Sequence, residues 1–70
     1  MPRVGARARI AHFGGSFEAA TVLAVHDGGR RLEVRGEDGR LLEFTLNPAS
    51  ARFLGGPDAG GPRLELLDRD

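Results

Sequence analysis

Glycine interrupts this chain so often that only runs of roughly five to ten residues remain between the breaks, the length of strands in small sheets. The breaks are Gly14-Gly15, Asp27-Gly28-Gly29, Gly36-Glu37-Asp38-Gly39, Asn47-Pro48 and the stretch Gly55 to Pro62. Between them, apolar residues recur at every second position. Val4, Ala6, Ala8 and Ile10 share one side of an extended segment whose other side carries Arg7 and Arg9. Leu32 and Val34 alternate with Arg31, Glu33 and Arg35, and Leu42, Phe44 and Leu46 with Glu43 and Thr45. Period two marks strands with one face buried.

The run Phe17 to His26 fits two templates. After Ser16 it suits a capped, Ala-rich helix, but β-branched Thr21, Val22 and Val25 and its spacing between glycine turns favour a strand. Residues 31–35 and 42–46 read as a hairpin closed by Glu37-Asp38-Gly39, with Gly39 free to take the positive φ the turn requires. Asn47 to Arg52 suits one 3₁₀ turn, with Asn47 as cap and Pro48 first inside it. Phe53-Leu54 is expected to pair briefly, and Leu64, Leu66 and Leu67 to form a last short strand. The expected fold is therefore all-β, a small barrel of five short antiparallel strands with one 3₁₀ turn before the last. Residues 1–54 form its body, 55–62 a Gly/Pro-rich loop, and 63–70 a closing strand and tail.

Seventy residues make one domain at most. Four Val, one Ile, nine Leu and four Phe are the strongly apolar side chains, too few to enclose a ligand cavity of roughly 300 Å³ or more, so recognition belongs on the outside. With no cysteine, a disulfide framework, a thiolate metal site and a Cys nucleophile are all excluded. Met1 fits a natural start or a cloning residue, and the opening MPRVGARARI has no apolar run of signal-peptide length, so cytoplasmic residence is expected.

The strand pattern resembles the SH3-like barrel in its Tudor and KOW branch, on Val4-Gly5-x-x-Ala8-x-Ile10, Ala20-x-Val22-x-x-Val25, Leu32-x-Val34, Asp38-Gly39 and Phe44-x-Leu46. It is similar also to the small accessory barrels within DNA helicases and conjugative relaxases. The departures are informative. KOW-type modules place Gly where Ala20 stands and carry Lys-rich loops. Tudor-type recognition of methylated side chains needs an aromatic cage, and this chain has no Trp or Tyr. A groove for Pro-rich peptides lacks its aromatic walls for the same reason.

Reactive side chains are sparse. His12 and His26 are the only imidazoles, and Ser16, His12 and Glu18 the only grouping from which a nucleophile, base and orienter could be assembled. His12, His26, Asp27 and Glu18 fall at no metal-ligand spacing. None of the Gly-rich segments precedes a helix with the Lys-Ser/Thr of a phosphate loop. No catalytic residue, metal or cofactor is expected, and the chain reads as a non-catalytic module.

Net charge is zero, but all ten cations are Arg, a pattern shared by high-GC coding bias and by selection for planar phosphate or carboxylate contacts. Arg3, Arg7 and Arg9 stand without an acid in the first seventeen residues, whereas Asp58, Glu65, Asp68 and Asp70 face Arg63 and Arg69 at the other end. Arg7 and Arg9 share a strand face about 7 Å apart. Two kinds of partner follow. In the leading reading a sheet face or edge, or the segment of Leu64, Leu66 and Leu67, contacts a protein or a second copy of the chain. In the alternative, Arg3, Arg7 and Arg9, extended by Arg30 and Arg31, hold the phosphates of DNA or RNA. Arg35 and Arg40 could extend the same surface, but Glu33, Glu37, Asp38 and Glu43 are interleaved with the central arginines, Arg30 and Arg31 included, so cross-strand pairing also accounts for those cations.

Overall fold

Period-two alternation becomes six antiparallel strands wound around one core. The structure, a computed structural model, describes residues 3–55 and 61–67. In chain order the strands are β1 (Arg7–Ala11), β2 (Phe17–His26), β3 (Arg31–Arg35), β4 (Leu41–Asn47), β5 (Arg52–Leu54) and β6 (Arg63–Leu66). Each pairs with the next, and β6 returns to β1, so the sheet closes on itself. The result is a small all-β barrel, compatible with the SH3-like resemblance. It has one strand more than expected, because Arg52–Leu54 pairs with both β4 and β6.

The doubtful run Phe17–His26 is one ten-residue strand. Its first half pairs with β1 and its second with β3, and the register shifts between Val22 and Ala24. Leu23 is the extra residue at this bulge, which bends β2 so that one strand serves both neighbours. Residues 36–40 turn the chain between β3 and β4 as foreseen. Gly36 N–H donates to Arg40 O at 2.9 Å, Gly39 N–H to Gly36 O at 3.1 Å, and Gly39 takes φ +84°.

The 3₁₀ turn lies elsewhere than expected, at Asp27–Gly29, where the two glycines let the backbone take positive φ. Residues 48–51 form a wider turn instead. There Ala49 N–H donates to Asn47 Oδ1 at 2.9 Å and Ala51 N–H to Asn47 O at 2.8 Å, so Asn47 caps the turn without a helical repeat following it.

Phe44, Ile10, Leu32, Val22 and Val34 are the largest fully buried side chains, joined by Ala8, Ala20 and Leu64. All belong to the inward row of their strands. Val4 does not follow Ala6 and Ala8 inward: it is 67% exposed, because the strand begins only at Arg7 and Gly5 turns the chain with φ +89°. The expected Gly/Pro-rich loop and the tail fall partly on residues 56–60 and 68–70, outside the described residues. Among the described residues, no helix is long and apolar enough to cross a membrane.

Candidate functional site

Closure decides which outward side chains become neighbours. Along β1, Ile10 faces the core and Arg7 and Arg9 face out, while Ala11 shares their side of the strand but is buried. Register then carries two outward rows across four strands. One runs Phe17, Ala11, Arg63 and Leu54 over β2, β1, β6 and β5. The next runs Ala19, Arg9 and Glu65, with Arg52 two residues from Leu54 and so on the same side of β5. Arg7 lies opposite Thr21 on this face, and its carbonyl accepts the Leu67 N–H at 2.9 Å.

A groove of about 730 Å³, open to solvent, crosses the end of this face between the turn joining β1 to β2 and the turn after β4. Phe13 and Phe17 flank it on one side and Arg52, Arg63 and Leu54 on the other. No carboxylate lines it among the described residues. Among the described residues, neither the Arg52 nor the Arg63 guanidinium makes a hydrogen bond or ion pair, although Glu65 lines an adjoining hollow with both. Arg9 is placed differently. Its Nε donates to Glu65 Oε1 at 2.6 Å, and its guanidinium carbon lies 4.3 Å from the centroid of the Phe17 ring. Glu65 therefore holds the cation against the aromatic face.

Two aromatic rings are left in water. Phe13 is 87% exposed and Phe17 56%. The turn carrying Phe13 has a fixed backbone: His12 N–H donates to Ser16 O at 2.8 Å, Gly15 N–H to His12 O at 3.1 Å, and Gly14 and Gly15 both take positive φ.

At the foot of that turn, Glu18 collects donors from three segments. His12 Nε2 donates to its Oε1 at 2.8 Å, Arg40 Nη2 to the same oxygen at 3.2 Å, and the Glu37 N–H to Oε2 at 2.9 Å. The Glu37 carboxylate returns a bond by accepting from Ala19 N–H at 3.0 Å. With a side chain only 12% exposed, Glu18 ties the β3–β4 turn to the start of β2. The His12 hydrogen bond, aided by the Glu37 N–H and the Arg40 charge, holds its carboxyl below the ordinary range despite desolvation. Asp38 is lowered likewise, first by the Arg40 N–H and then by the Arg40 guanidinium. His12 and Glu18 do come together as a base and orienter would, but among the described residues the Ser16 hydroxyl makes no hydrogen bond to them. No three His, Cys, Asp or Glu side chains gather among those residues to hold a metal ion.

The sequence-predicted residues separate into groups. Arg7 and Arg9 share the face described above. Arg3 is exposed in the turn before β1, where its carbonyl accepts the Ala6 N–H at 3.0 Å. Arg30 and Arg31 sit in a different hollow with Asp27 and Glu43, each of whose carboxylates stands 3.8 Å from Arg31 Nε. That hollow is a mixed-charge surface and does not continue the first. Of the apolar trio, Leu64 is a core residue at 4% exposure and Leu66 packs against the core, leaving Leu67 exposed. The strand that carries Leu64 and Leu66 is paired with β1 and β5, so it offers no open edge.

Arg52, Arg63, Phe13 and Phe17 were not singled out by sequence reasoning. The two glycines after Phe13 were the one local signal, since a large ring in so short a turn has little core to enter. Comparison with protein-family models, with curated proteins and with solved structures found no match.

Proposed function

We propose that this chain is a non-catalytic module that binds nucleic acid across the outer face of β2, β1, β6 and β5. One observation carries the reading: a groove flanked by Arg52 and Arg63 and by two exposed Phe rings, with no carboxylate among its described lining residues. Planar guanidinium groups make bidentate contacts to phosphate, and aromatic rings supply sequence-tolerant stacking. Arg7 and Arg9 extend the same face. Arg30 and Arg31 are not needed, since Asp27 and Glu43 neutralise their surroundings. The likeness to Tudor and KOW modules enters this proposal as a shared small-barrel layout alone. The non-catalytic part rests on His12 and Glu18 being committed to fastening a turn, and cytoplasmic residence belongs to the same proposal.

Titration of labelled single- and double-stranded DNA and RNA at low salt tests it. Micromolar or tighter binding is expected, weakening as salt rises. Arg52→Glu combined with Arg63→Glu should weaken it strongly, and the binding that remains should show a log–log salt slope reduced by roughly 1.5, as two lost phosphate contacts imply. If none of these nucleic acids binds, or if the double variant binds as the parent does, the proposal is wrong.

A protein partner or self-association is supported by a different surface. Leu41, 72% exposed, and Leu23 meet over β2, β3 and β4 beside Glu33 and Glu43. Sedimentation that is independent of concentration would remove the self-association form of this second reading.

A further inference from the structure

We infer that the groove takes a single strand, its bases stacked on Phe13 and Phe17 and its phosphates held by Arg52 and Arg63. This rests on the nucleic-acid reading above and narrows its ligand. A barrel with this small a core leaves two of its four Phe side chains mostly in water, forgoing the burial that stabilises Phe44. The Phe13 turn is nevertheless built to keep its shape, with two backbone hydrogen bonds and two glycines at φ +104° and +94°. A ring presented from a fixed backbone loses little freedom when a ligand settles on it.

Phe17 is the more elaborate of the pair. Arg9 lies over its ring and Glu65 fixes Arg9 in turn, so a cation already sits on that aromatic surface while Phe17 also lines the groove. Opposite these rings, Arg52 and Arg63 supply charge where the groove's described lining holds no acid, and Glu65, which shares an adjoining hollow with them, is engaged by Arg9. Rings on one wall and cations on the other match the division between base and phosphate along a single strand.

A duplex fits this arrangement poorly. Its bases are stacked on one another and show only their edges in the grooves, so an aromatic side chain in a surface cleft reaches no base face. A duplex would engage the arginines and leave Phe13 idle. An acidic peptide would satisfy the cations but give the paired rings no planar partner of matching size.

Fluorescence anisotropy on the full chain distinguishes these ligands. The probes are a labelled oligothymidylate of about twelve nucleotides, an oligouridylate of the same length, a hairpin duplex, heparin and polyglutamate. Either single strand should bind at least about tenfold more tightly than the duplex. Phe13→Ala should weaken single-strand binding by about tenfold and leave duplex and heparin binding unchanged, while Phe13→Tyr keeps the affinity. Because Phe13 is 87% exposed, its replacement should not unfold the barrel, and an unchanged urea midpoint verifies this. Equal affinity for single strand and duplex with a neutral Phe13→Ala overturns the inference but leaves phosphate binding standing. A loss of equal size on every probe also overturns it, since a general change in the rim would then explain the effect. Polyglutamate binding as tight as oligothymidylate assigns the groove to an acidic protein chain instead. No binding of any nucleic acid removes this inference together with the reading beneath it.

Discussion

Ala51 takes φ +57°, in the left-handed region where a Cβ crowds its own carbonyl at a cost of roughly 1–2 kcal/mol. Its N–H donates to Asn47 O at 2.8 Å, so the turn holds the residue there. Ala51→Gly should raise the unfolding free energy by about 0.5–1 kcal/mol, once the greater freedom of glycine in the unfolded chain is set against the relief. A higher urea midpoint at unchanged slope is the expected reading; an unchanged midpoint would mean that the relief only offsets the added freedom of glycine, and a lower one that alanine bears no strain there. The opposite constraint operates at Gly36 and Gly55. A Cβ on Gly36 would run into Glu18 Oε2, and one on Gly55 would lie 2.9 Å from Phe44 Cε1 and 3.0 Å from Pro62 Cγ. Those two glycines are matched to close neighbours, independently of backbone sign.

Elements are joined most visibly where Glu18 receives His12, Arg40 and the Glu37 N–H. The carboxyl groups of Glu18 and Asp38 are lowered in the folded protein, so the unfolded chain binds protons more readily. Their contribution to stability is complete above their ordinary values of 4.5 and 3.8, and is lost as pH falls through the lower folded values. Amide exchange in residues 36–40, corrected for its intrinsic pH dependence, should therefore show protection decreasing as pH drops below about 4. Glu18→Gln should flatten that dependence; if the variant keeps the full parental profile, the acid response arises elsewhere. Strand positions and inward rows were legible in the sequence because Ile10, Leu32, Val34 and Phe44 obey a local period of two. The groove was not. Arg63 comes to lie beside Ala11, and across it from Phe17, only when β6 pairs with β1, and nothing in the alternation specifies a partner that far along the chain. The interleaved acids did point to cross-strand pairing of the central arginines, and Glu43 stands 3.8 Å from Arg31 Nε across the β3–β4 pairing.

At the scale of the whole molecule, β6 is the element that removes open edges. Ending the chain after Gly55 would expose β1 and β5 along their backbones and strip Leu64 from the core. Such a truncation should be unfolded by circular dichroism or associate in a concentration-dependent way by sedimentation, and a stable monomer would show that β6 is dispensable for closure. The winding also sets which charges face one another. Arg7, Arg9, Arg52 and Arg63 stand outward with Glu65 on one side, while Glu33 and Glu43 lie directly opposite each other between β3 and β4. The bent strand β2 is common to both sides, giving its first half to β1 and its second to β3. Neither half of the barrel can come apart without taking part of the other with it, and loss of order should spread through the molecule as a single cooperative event.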